Sequence, residues 1–96
     1  MSPNSKKDLI ILRQKLDKID DSLLLLFKKR TTLVRSVLKL KKFKKQIVDK
    51  KRIKLILKNI NIKSKKLKID PLITNHIWKN IIKSYIEFEK RNFKKK

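Results

Sequence analysis

The sequence predicts an all-α chain of three helices: long, short and medium. Three observations predict it. Apolar residues recur at spacings of three and four over more than 30 residues, with neither proline nor glycine among them. Two aspartates, Asp49 and Asp70, stand where helices should begin, the second followed directly by Pro71. No segment alternates apolar and polar residues as a half-buried strand would.

The first helix is expected over about residues 8–42. Leu9, Leu12, Leu16, Ile19, Leu23, Leu26, Phe27, Leu33, Val34, Val37 and Leu40 carry its stripe. At ~1.5 Å per residue such a helix reaches ~50 Å. That is too long to fold back on itself in a small monomer, so the stripe calls for a second chain. KFKKQIV, up to Val48, breaks the period and reads as a loop. Asp49 then caps a second helix over about residues 49–62, carried by Ile53, Ile56, Leu57 and Ile60. KSKKLKI, residues 63–69, reads as a polar connection. Asp70 caps the third helix, over about residues 71–91. Pro71 at its first position loses no needed hydrogen bond. Ile73, Ile77, Trp78, Ile81, Ile82, Tyr85 and Phe88 form its apolar face. Residues 92–96 make a basic tail expected to fray, Lys94 to Lys96 solvated. One domain is expected over residues 1–96, without an internal repeat.

Composition narrows the function. The 96 residues contain no cysteine, which excludes disulfides and thiolate chemistry. One histidine, His76, cannot build a zinc site, and no metal or cofactor is expected. The N-terminal MSPNSKKDLIIL turns charged again at Arg13 and does not read as a secretory leader. The longest apolar run, Leu23 to Phe27, is far short of the ~20 residues that span a bilayer. A soluble cytoplasmic protein with no membrane partner is expected.

The net charge is +22, with lysine outnumbering arginine 25 to 5. Charge of this size invites a nucleic-acid reading. The lysine, isoleucine and asparagine excess with no glycine is also what an AT-rich coding sequence produces, leaving much of the charge as solvated surface. The six aromatics are scattered and no reading motif is present. Only non-specific, salt-sensitive nucleic-acid binding is expected. Asp17, Asp20 and Asp21 read as helix-surface carboxylates pairing with lysines, and Trp78 as a core residue.

One stretch resists a purely structural reading. In LFKKRTTLVRSVLKLKK, residues 26–42, Arg30 falls on the apolar stripe. Lys41 lies eleven residues on and returns to nearly the same face. Either these cations snorkel at the edge of the stripe, or they face something negative.

The segments LRQKLDKIDDSLLLLFKKR, VLKLKK, IVDKKR, IDP and IWKNIIKSYIEFE, in this order and spacing, resemble the all-helical (type II) chorismate mutase family. The family includes mutase domains of bifunctional chorismate mutase–prephenate dehydratases. The resemblance runs from Leu9 to about Lys90. It implies the rearrangement of chorismate to prephenate, in phenylalanine and tyrosine synthesis, by an intertwined homodimer whose sites draw on both chains. It places Arg30 and Lys41 against the substrate and Arg13 in the partner's site. Geometry independently favours donation in trans. Arg13 and Arg30 are 17 residues apart, about 25 Å along one helix and about 100° around it. One small ligand cannot bridge them within a single straight helix.

The reaction is pericyclic and needs no nucleophile, metal or cofactor. The protein holds the reactive conformer and stabilises charge on the breaking ether oxygen. The resemblance assigns Arg13 and Arg30 to the substrate carboxylates, where a guanidinium fork meets a carboxylate bidentately. It assigns Lys41 to a carboxylate and the ether oxygen, Asp49 to the ring hydroxyl, and Arg52 to the pocket wall. Glu89 falls at the ether oxygen, where the family has glutamine or glutamate. An ionised carboxylate there would repel the developing charge. Glu89 is therefore expected to work protonated, and activity to fall as pH rises through its titration. Two substrate-binding positions depart from the family. Ile53 replaces a usual glutamate, which removes a hydrogen bond to the substrate hydroxyl. Tyr85 replaces a usual serine, with Ser84 one place early. These departures admit a weakened mutase, and an isochorismate pyruvate lyase-like activity on the same fold is an alternative. A non-enzymatic basic helical dimer that binds nucleic acid is the remaining reading.

Overall fold

The structure, a computed structural model, describes residues 3–95. Met1, Ser2 and Lys96, the ends of the expected domain and the last residue of its basic tail, lie outside the described residues. Three α-helices follow in order: α1 (Pro3–Leu40), α2 (Lys50–Lys66) and α3 (Pro71–Asn92). A single 3-10 turn, Lys44–Gln46, lies between α1 and α2. Among the described residues there is no strand, so the fold is all-α. The chain divides into two compact units, Met1–Leu33 and Val34–Lys96.

The first unit is the greater part of α1. The helix starts at Pro3, ahead of the expected Asp8, because proline is tolerated in a first turn and nothing after it breaks the helix. Its hydroxyls do not interrupt it. Ser22 Oγ, Thr31 Oγ1 and Thr32 Oγ1 donate to the carbonyls of Lys18, Phe27 and Lys28, each one turn back. The apolar residues of this unit lie open. Leu12, Leu16, Ile19, Leu23 and Leu26 remain 45–59% exposed. An apolar face of this extent is more than scattered single exposed residues make.

The second unit holds the end of α1, the connecting loop, α2 and α3. Helix α1 stops at Leu40, and the Lys41 amide bonds back to the Leu38 carbonyl at 3.1 Å. The loop that follows is ordered by one side chain. Gln46 Oε1 accepts from the amides of Lys42 (2.7 Å) and Phe43 (2.9 Å). Ile47 then anchors the loop, only 3% exposed. Asp49 caps α2 by accepting from the Arg52 amide at 3.0 Å. Asp70 caps α3 by accepting from the Leu72 amide at 3.0 Å, with Pro71 at the first helical position.

Helix α2 runs on to Lys66, through residues expected as a polar connection. Lysine is a good helix former even where no apolar period remains. A tertiary contact holds the extension: Ser64 is buried, and its Oγ meets Thr74 Oγ1 of α3 at 2.7 Å. Each hydroxyl also has a backbone carbonyl within reach, Ile60 at 2.6 Å from Ser64 Oγ and Pro71 at 3.4 Å from Thr74 Oγ1, so either can donate to the other. The turn after α2 is a Schellman motif, with Ile69 N to Ser64 O at 2.9 Å and Lys68 N to Lys65 O at 3.2 Å. Its left-handed position, φ 57°, is held by Lys68, in a chain with no glycine. α2 and α3 pack against each other as consecutive helices across this turn.

α3 extends to Asn92, so the start of the expected tail is helical, while Lys94 and Lys95 beyond it are exposed. Trp78 is half-buried. Among the described residues the buried hydrophobic core is Leu38 and Ile47 alone. So small a core leaves most of the chain's apolar surface in water.

Candidate active site

The site is built around the two ends of the α1–α2 loop. Lys41 is the first residue past α1, and Asp49 the last before α2. Gln46 and Ile47 fix the path between them, one by binding backbone amides and the other by burial. Lys41 and Asp49 line one open cavity of about 530 Å³, together with Gln46, Val48, Lys50 and Lys51.

Glu89, on the third helix, reaches Lys41 across 48 residues of sequence. Lys41 Nζ donates to Glu89 Oε1 at 3.1 Å. The side chains are 19% and 9% exposed, so the pair is largely withdrawn from water. A carboxylate buried to this degree needs a partner, and Lys41 is that partner.

Arg52 and Ile53 stand in the first turn of α2, Arg52 exposed and Ile53 half-buried. Ile53 is apolar, so this position offers no hydrogen bond. Tyr85 lies one turn before Glu89 on α3 and is half-buried. Its ring meets Phe88 edge-on, centroids 6.2 Å apart. Within the second unit, then, Lys41 and Glu89 touch, Lys41 and Asp49 share a cavity, and Arg52, Ile53 and Tyr85 lie on the helices that carry them.

The two remaining candidates belong to the first unit. Arg13 is exposed on α1, and Arg30 is half-buried. Among the described residues no group of three or more histidines, cysteines and acids is placed to hold a metal ion. No helix of the described chain is long and apolar enough to cross a membrane.

Sequence reasoning passed over Gln46, which sets the course of the loop between Lys41 and Asp49. The signal was present: glutamine three residues after Phe43 can reach back to a free amide, as in a capping box. Ile47 was passed over as well, because one isoleucine inside a basic loop has no period to announce it.

What the arrangement offers chemically is a cation and a hydrogen-bond acceptor at an open cavity, the cation paired with a buried acid, and no nucleophile activated by a base. Such a set binds and polarises an anionic small molecule. No curated protein and no solved structure matches the chain. The sequence model of the type II chorismate mutases matches residues 12–90, which take in every site residue named above. On that match, over most of its length, the chain belongs to the chorismate mutase type II family.

Proposed function

We propose that the chain is a chorismate mutase, converting chorismate to prephenate in phenylalanine and tyrosine biosynthesis. The observation that carries this reading is the 3.1 Å contact of Lys41 Nζ with the buried Glu89, a hydrogen bond that Oε1 accepts with or without a proton on the carboxyl group. These are the two positions to which the family resemblance assigns the ether oxygen. In the rearrangement the ether C–O bond breaks as a new C–C bond forms, and nothing leaves the molecule. Negative charge builds on the ether oxygen in between. Lys41 donates to that oxygen and to a carboxylate, and protonated Glu89 donates beside it. Asp49 accepts from the ring hydroxyl, and Arg52 lines the pocket. Arg30 clamps a carboxylate in one chain and Arg13 a carboxylate in the partner's site.

A homodimer is part of the proposal. The open leucine face of α1 and the small core support it. Light scattering should find two chains per particle. A monodisperse monomer would count against the trans site.

The test is chorismate consumption by the purified chain, with prephenate identified as product. Arg30→Ala should lower turnover by about a hundredfold or more, the scale of losing one aimed donor to transition-state charge. Isochorismate is assayed in parallel. Release of pyruvate from it, without prephenate formation from chorismate, would replace the mutase reading with a lyase. No turnover on either, from a dimer whose DNA binding collapses with salt, would leave a basic binding protein.

A further inference from the structure

A second cavity lies in the Val34–Lys96 unit, apart from the mutase positions. It encloses about 390 Å³ and is lined by Arg35, Leu38, Lys39, Asn92, Lys94 and Lys95. Four of these six side chains are cationic and none is acidic. Lys41 has Glu89 for a partner, whereas this cavity gathers like charges with no carboxylate in its wall. Arg35 and Lys39 stand four residues apart on α1, a spacing at which like charges repel. Crowding of this kind raises the positive potential in a concave site and so the local concentration of anions.

The wall is also organised. The Arg35 guanidinium sits 5.4 Å from the centroid of the Phe88 ring, which fixes its direction. Asn92 Nδ2 donates to the Phe88 carbonyl at 2.8 Å, which holds the amide at the rim. Leu38, 8% exposed, supplies an apolar patch that strengthens the field of the surrounding charges.

We propose that this cavity binds a small anion with two or more phosphate groups, a diphosphate or triphosphate. Four cations exceed what one carboxylate needs. Arginine offers a fork for phosphate oxygens, and the lysines add point charges around it. The volume lies within the range of small-ligand pockets. A nucleic-acid strand would instead need an extended groove and free aromatic faces for its bases. No aromatic among the described residues lines this cavity, and the Phe88 ring beside Arg35 already carries that guanidinium.

Calorimetric titration of the full chain at physiological ionic strength tests the site, with pyrophosphate and tripolyphosphate as probes. One saturable site per chain is expected, about tenfold tighter for pyrophosphate than for orthophosphate. Arg35→Gln with Lys39→Gln should weaken it about tenfold. Lys94→Gln with Lys95→Gln, beyond the last helix and so harmless to folding, should also weaken it. Lys15→Gln with Lys18→Gln removes the same charge from exposed positions of the other unit and should change affinity by less than about twofold. A nucleoside triphosphate binding as tripolyphosphate does would mean that phosphate alone is read; tighter binding would mean an organic phosphate. Equal losses in all three double variants, or several weak sites per chain, would overturn the proposal in favour of diffuse surface charge. Tighter capture of a single-stranded oligonucleotide than of tripolyphosphate would overturn it in favour of nucleic acid. Chorismate turnover is no part of the readout, so this proposal and the mutase reading stand or fall separately.

Discussion

Replacing Glu89 by glutamine keeps the shape of the side chain and its reach to Lys41 while removing one ionisable group. The contact is 3.1 Å long and both partners are mostly buried. A hydrogen bond between charged groups is worth about 1.5–3 kcal/mol net, and a neutral acceptor keeps roughly half of it. The substitution should therefore cost about 1 kcal/mol, or about 4–8 °C in Tm for a domain of this size. Turnover should respond differently from stability. The proposed role at the ether oxygen needs the Glu89 proton, so kcat of the parent chain should decline toward alkaline pH. Glutamine donates at every pH, so Glu89→Gln should give a flat profile and overtake the parent chain at the alkaline end. The assay is chorismate disappearance across a pH series, at a temperature well below the melting point of both proteins. A parallel alkaline decline in Glu89→Gln would refute the reasoning. So would a flat parent profile with the variant lowered equally at all pH values.

Other outcomes follow from the same geometry. Arg13→Ala and Arg30→Ala should each be inactive alone. If Arg13 acts in trans, mixing and re-equilibrating them regenerates one intact site per heterodimer, for about a quarter of parental turnover; no recovery in heterodimers confirmed by mass spectrometry would place both arginines in one chain's site. Thr74→Val removes the hydroxyl that meets Ser64 Oγ at 2.7 Å while keeping the volume. It should destabilise by about 1–2 kcal/mol in chemical denaturation with turnover unchanged. Lys68→Gly relieves the left-handed backbone at φ 57° and should raise stability by about 0.5–1 kcal/mol, seen as a higher denaturation midpoint; a lower midpoint would mean that the lysine side chain holds the turn.

Local rules made much of the chain legible. Helix α1 announces itself because leucines and isoleucines return to one face every three or four residues. Asp49 and Asp70-Pro71 announce the starts of α2 and α3, since a cap is a contact between residues two or three apart. The candidate site positions rest on a different signal. Arg13, Arg30, Lys41, Asp49, Arg52 and Glu89 fall at motif spacings, and the family match covers the same stretch.

The rest depended on contacts between distant residues. Periodicity ended α2 too early because the residues that extend it are polar, and Ser64 is buried only through Thr74, ten residues further on. No glycine marked the turn at Lys68; backbone hydrogen bonds hold a lysine there in a conformation it would otherwise avoid. Ile47 is the more buried of the two core hydrophobics, although its neighbours are a basic loop. By itself the sequence determined the three helices, the capped starts of the second and third, and the charged residues on offer, because each depends on neighbours within a turn. Only the tertiary structure decided that Lys41 meets Glu89 across 48 residues. Only it gathered Arg35, Lys39, Lys94 and Lys95 around one cavity. Both arrangements depend on where separate elements come to rest, and packing sets that.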